Sequence, residues 1–119
     1  MKKKQTEELP GQCRVLIRGV RDTHDLLNGK WKTTIIGALY YRGKMRFMEL
    51  RRELEGIAPK MLSQELKDLE MNFLVTRTVF NTMPVTVEYE LTEQGKSLNT
   101  VIDAMGKWGI VYRQQIVDM

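Results

Sequence analysis

With 119 residues, 42% hydrophobic and 29% charged, the chain has the length of one domain and an ordinary globular composition. This excludes collagen-like, disordered or disulfide-stapled classes, since its single cysteine forms no internal disulfide. Residues 1–60 carry 14 lysines and arginines against 7 acidic residues and residues 61–119 carry 5 against 8, so one basic half suits a polyanionic partner.

The apolar runs, such as Ile35–Tyr41, fall far short of the ~20 residues that cross a bilayer. No apolar stretch follows the basic Met1–Lys4. A soluble, cytoplasmic protein without membrane contact is expected. The polar N-terminus reads as a frayed tail ending in Pro10-Gly11; residues 1–13 are set apart as flexible tail and 14–119 as a single domain.

Val15 to Leu27 has a mixed pattern, with a short helix expected at Asp22–Leu27, stopped by Asn28-Gly29. Lys30 to Arg42 is predicted helical, because Trp31, Ile35, Ala38 and Leu39 fall on one face of a 3.6-residue period. A helix over Arg46–Leu54 puts Phe47, Leu50 and Leu54 on one side and Arg46, Arg51 and Arg52 off it. Gly56 permits a left-handed turn, and Pro59 opens a helix to about Asn72, with Leu62, Leu66 and Leu69 inward. The period then drops to two. Leu74–Phe80 and Val85–Leu91 are predicted strands of a hairpin around Asn81–Pro84. A last helix begins near Thr92 and carries an apolar stripe of Leu98, Ile102, Met105, Trp108, Tyr112 and Ile116. That stripe is too long for one small chain to cover and points to a dimer interface.

Helix, short turn, Pro-led helix and hairpin is the order of a winged helix-turn-helix: an α+β, mostly α fold with a three-helix core and a two-stranded β-hairpin wing. At 100° per residue, Lys60, Ser63, Gln64 and Lys67 face away from Leu62. A Gln amide can read an adenine edge, and Lys can meet guanine or phosphate. Arg46, Arg51 and Arg52 add charge for backbone contacts. These are the candidate DNA-binding residues, with double-stranded DNA as partner.

Gly29-Lys30-Trp31, Arg46-Phe47-x-Glu49-Leu50, Gly56-Ile57-x-Pro59-x-x-Leu62-Ser63 and Val87-Glu88-Tyr89-x-Leu91-Thr92-x-x-Gly95 stand in order, with Trp108 in the closing helix. Over roughly residues 18–112 the chain strongly resembles the HxlR-type winged helix-turn-helix transcriptional regulators of bacteria and archaea. The resemblance implies a homodimer, held by N- and C-terminal dimerisation helices, on a palindromic operator. It leaves operator, regulated genes, sign of regulation and any small-molecule effector unnamed. Trp31, Phe47, Leu50 and Tyr89 are expected in the core.

Two departures stand out. Many relatives carry a Cys-Pro pair eleven residues before the Gly of Gly-Lys-Trp, and several use that cysteine to sense oxidants or electrophiles; here Arg18-Gly19 occupies the position. The only cysteine, Cys13, lies five residues earlier and is the candidate redox sensor, with Arg14 and Arg18 near in sequence; the other reading is an inert thiol. Relatives also carry a basic residue before the Val-Glu-Tyr motif, where this chain has Thr86; either Arg77 supplies the wing's phosphate contact instead, or the wing contributes less.

Enzyme readings lack parts. One histidine, His24, and one cysteine do not complete a structural zinc site, so no metal or cofactor is expected. Winged helices also join subunits as protein-interaction modules, but such a module calls for apolar residues where Lys60, Gln64 and Lys67 stand.

Overall fold

The computed structural model describes residues 10–118; the expected tail up to residue 9 lies outside the described residues. The first helix, α1 (Gly11–Leu26), is continuous. This corrects the short helix expected at Asp22–Leu27, and Gly11, Gln12 and Cys13 of the expected tail are helical. Cys13, Leu16, Ile17 and Val20 stand at i, i+3, i+4 and i+7, one face of the helical period; the chain's own core leaves that face uncovered, since α1 buries no residue and Val15, Leu16, Ile17 and Val20 are all exposed.

Helix α2 (Lys32–Arg42) buries Ile35, Ile36 and Leu39, and also Lys32. It stops at Gly43, whose φ of 83° is cheap only for glycine. A two-residue strand, β1 (Met45–Arg46), follows, then α3 (Phe47–Glu53). The Arg46 backbone N–H donates to Glu49 Oε1 at 2.8 Å, so the first turn of α3 is capped by its own glutamate. Helix α4 (Pro59–Met71) has Pro59 in its first turn and buries Leu62, Leu66 and Leu69, as the period predicts.

The end of α4 uses a paired-bond stop. Leu74 N–H donates to the Leu69 carbonyl and Phe73 N–H to the Glu70 carbonyl, each at 3.0 Å. That pattern needs a left-handed residue between, normally glycine. Here it is Phe73, at φ 61°.

Strands β2 (Val75–Phe80) and β3 (Thr86–Leu91) pair antiparallel from Val75↔Leu91 to Phe80↔Thr86. Strand β1 adds to the other edge, with Met45↔Tyr89 and Arg46↔Glu88, giving a three-stranded sheet in the order β1-β3-β2. The final helix expected from Thr92 is two pieces, α5 (Glu93–Lys96) and α6 (Asn99–Val117). Thr92 caps α5 by accepting from Gly95 N–H at 3.0 Å, while its hydroxyl donates to the Phe73 carbonyl at 2.7 Å. The short helix is thereby pinned to the end of α4.

The buried residues of α2, α3, α4 and the sheet form one core. Leu50 and Tyr89 are buried in it, while Trp31 and Phe47 are half-buried against it. The molecule measures 69 × 38 × 23 Å with a radius of gyration of 18.3 Å. A compact domain of this length would have about 13–14 Å. No helix among the described residues is long and apolar enough to cross a membrane.

Candidate nucleic-acid interface

Helix α4 presents two chemically distinct sides. Leu62, Leu66 and Leu69 are buried, while Lys60, Ser63, Gln64 and Lys67 are exposed. Two of its acidic residues are drawn away from the exposed side. Lys32 Nζ, from the start of α2, lies 2.6 Å from Glu65 Oε1 and 3.4 Å from Asp68 Oδ2. Burial opposes the Lys32 charge, but hydrogen bonds to Glu65 and Asp68 outweigh it and hold the ammonium above the ordinary lysine value. The two carboxylates are thus balanced against the body, while Lys60 and Lys67 stand outward with the exposed Glu70 at the flank of the same face.

The other basic candidates do not form one patch. Arg51 and Arg52 line a hollow with Gly56 and Pro59, which places them at the start of α4. Arg51 is half-buried, and its Nε donates to the Ile57 carbonyl at 3.4 Å, so it also ties down the α3–α4 turn. Arg46 and Arg77 lie in the sheet, opposite Glu88 and Tyr89 respectively. Glu88 and Tyr89 are neighbours on β3, so Arg46 and Arg77 leave the sheet on opposite faces. Beyond Arg77 the wing carries no charged residue until Glu88. Val79, Phe80, Met83 and Val85 are exposed there.

The stripe on α6 divides. Leu98 and Ile102 are half-buried against the chain's own core, and Ile102 Cγ2 sits 3.4 Å from where a Cβ on Gly37 would stand. Met105, Trp108, Tyr112 and Ile116 are exposed. Trp108 and Tyr112 stack at 4.9 Å between ring centroids. The expected dimer stripe left out the apolar face of α1, whose Val15, Leu16, Ile17 and Val20 are exposed while Leu26 packs on the core.

Cys13 is half-buried in the first turn of α1. On a helix, Arg14 and Arg18 stand about 100° and 140° around from it. The residues stacked on its face, at i+3 and i+4, are Leu16 and Ile17.

Against known proteins, a family model described as HxlR-like helix-turn-helix matches residues 26–117. YtcD of Bacillus subtilis, an uncharacterized HTH-type transcriptional regulator, is 42% identical over 90 residues, covering 76% of this chain and 71% of that protein. The solved structure of the redox regulator HypR in its reduced form is similar with a TM-score of 0.77 at 36% identity, over 85% of this chain and 99% of that one. The reduced form of the transcriptional regulator YodB from B. subtilis is similar at 0.66 and 39% identity, over 74% and 85%. With a family model matched over residues 26–117 and relatives of about 40% identity, the chain belongs to the HxlR-like helix-turn-helix family of transcriptional regulators.

Proposed function

We propose that this regulator acts in the cytoplasm as a homodimer on a palindromic DNA operator, each chain placing α4 in the major groove of one half-site. The observation that carries this is the outward face of α4: Lys60, Ser63, Gln64 and Lys67 are exposed together while Glu65 and Asp68 are held by Lys32. Lys60 and Lys67 supply phosphate contacts and Gln64 a base contact. Arg51 and Arg52 add charge at the start of the helix. The exposed apolar residues of α1 and of α6 from Met105 onward form the dimer contact, with Leu98 and Ile102 seating α6 on its own chain. The test is recovery of bound sequences from a random DNA pool at stated salt. A symmetric consensus with half-sites about one helical turn apart is expected; an asymmetric or absent consensus overturns the reading.

A redox-responsive form of the same function draws on Cys13 and on the likeness to HypR, described as a redox regulator. The helical positions weigh against it, since Leu16 and Ile17 stand one turn from Cys13 on its own face of α1. Cys13→Ser is expected to bind operator as tightly as the parent, with diamide changing neither. A diamide-induced change in the parent that Cys13→Ser abolishes would assign the signal to Cys13.

A further inference from the structure

Lys32 is an unusual residue to bury at the first turn of a helix, with only 6% of its surface exposed. Its partners Glu65 and Asp68 are one turn apart on α4, so one ammonium bridges two successive positions on the same helix side. Beside the buried Leu62, Leu66 and Leu69, which press α4 onto the core, such a bridge adds a directional contact to one rotation of α4 and one position along it. Apolar side chains of like volume can fill such a site with similar stability but without that directional contact.

The other half of α2 holds α6. Gly37 lies under Ile102. Asn99 Nδ2 donates to Tyr40 Oη at 3.1 Å, and Tyr41 Oη donates to Asp103 Oδ1 at 2.9 Å. Lys107 Nζ grips the same carboxylate at 2.9 Å. Open grooves run on both sides of this seam. One is lined by Val20, Leu27, Val101 and Met105, the other by Tyr41, Leu54, Ile102 and Gly106. Helix α6 therefore rests on α2 along a narrow strip, and α2 is the shaft between α4 and α6.

We infer that Lys32 is a positioning residue that sets the half-site spacing the dimer accepts, by locking α4 to the shaft on which α6 is mounted. This rests on the dimeric operator reading above. Adding one base pair between half-sites moves them by about 3.4 Å and turns them by about 34°. A rigid link rejects that change, whereas a sliding one accepts it.

The experiment compares operators whose half-site separation differs by one base pair. The parent dimer should discriminate by about tenfold or more. Lys32→Met combined with Glu65→Leu fills the site with apolar atoms; it should stay folded and dimeric but discriminate less than about threefold. Lys32→Arg, which can still bridge both carboxylates, should restore discrimination. Should the Met/Leu pair fail to fold, Glu65→Gln keeps the shape and removes the charge, and is expected to relax the ratio by about two- to threefold. A merely structural role lowers affinity for all spacings alike. An unchanged ratio in a folded Met/Leu or Gln variant therefore overturns the proposal while leaving operator binding intact. Failure of the parent to bind any symmetric site overturns the operator reading instead, and is seen before any variant is made.

Discussion

Gly95 is pressed against Leu74: a Cβ at residue 95 would stand under 3.0 Å from the Leu74 carbonyl oxygen, with Leu91 Cδ2 at 3.1 Å on another side. That carbonyl already accepts from Thr92 N–H at 3.0 Å and belongs to the backbone, so it cannot yield as a side chain would. Gly95→Ala should destabilise the protein by about 3 kcal/mol, at the upper end of overpacking costs. Denaturant unfolding measures it; a loss below about 0.5 kcal/mol would show that α5 can lift off the sheet freely.

Phe73 gives the opposite expectation. It holds φ 61° while 77% exposed, so it bears a conformational cost with little burial in return. Phe73→Gly should stabilise by about 0.5–1 kcal/mol, the left-handed penalty less the added freedom of the unfolded chain. A thermal or denaturant midpoint lower than the parent's would contradict this.

The ionic contacts predict how stability varies with pH. Lys32 is raised from the ordinary 10.5 because its bonds to Glu65 and Asp68 outweigh burial. Tyr41 is raised from 10.0, chiefly by its hydrogen bond to Asp103. For both groups the stabilising form is the protonated one. Their contribution is complete below those ordinary values and is lost as pH rises through the higher folded-state ones. Asp103 is lowered from 3.8, first by its hydrogen bond to Lys107 and then by that to Tyr41, so its contribution is lost as pH falls below 3.8. Stability should therefore drop on the alkaline side from about pH 10, and Lys32→Met should show a shallower drop.

Gln64 and Lys67 should fail differently when truncated. Gln64→Ala should relax base preference at one operator position by ~1–3 kcal/mol. Lys67→Ala should weaken all sequences alike and flatten the salt dependence by about one unit of slope. Binding across a set of single-base operator variants at several salt concentrations separates the two. A uniform loss for Gln64→Ala would remove it as a base reader.

Trp108 should be the most sensitive point of the α6 face, being large, exposed and stacked on Tyr112. Trp108→Ala should weaken self-association by tenfold or more in sedimentation. A parent protein that sediments as a monomer at tens of micromolar would overturn the dimer reading altogether.

Helix α4 was legible from sequence because its two signals agree: Pro59 marks the start, and Leu62, Leu66 and Leu69 repeat at the helical period. The hairpin was legible because Val87, Tyr89 and Leu91 alternate with Thr86, Glu88 and Glu90. Strand β1 was not, since two residues carry no period and its formation depends on β3 being beside it. The break between α5 and α6 was hidden too: it is a tightening of the backbone at Ser97 and Leu98, whose N–H groups donate to the Gln94 and Gly95 carbonyls, and no residue type there marks it. The burial of Lys32 leaves no mark in the sequence, because its partners lie 33 and 36 residues further on. For the interface, the outward residues of α4 followed from geometry alone. The opposite orientations of Arg46 and Arg77 needed the strand register.

The absence of any buried residue on α1 has a thermodynamic consequence. A 16-residue helix with no buried residue, anchored to the core only near its end by Leu26, is marginal in water, since nucleation is costly and propensity alone adds little. The proposed dimer would supply the rest of its order, which links helix content to protein concentration. Dilution should melt α1 before the core, so that circular dichroism loses helix while the near-ultraviolet signal of Tyr89 and its neighbours persists. The apparent melting temperature should rise with concentration, and the reading head should remain folded, yet unpaired, at the dilute end.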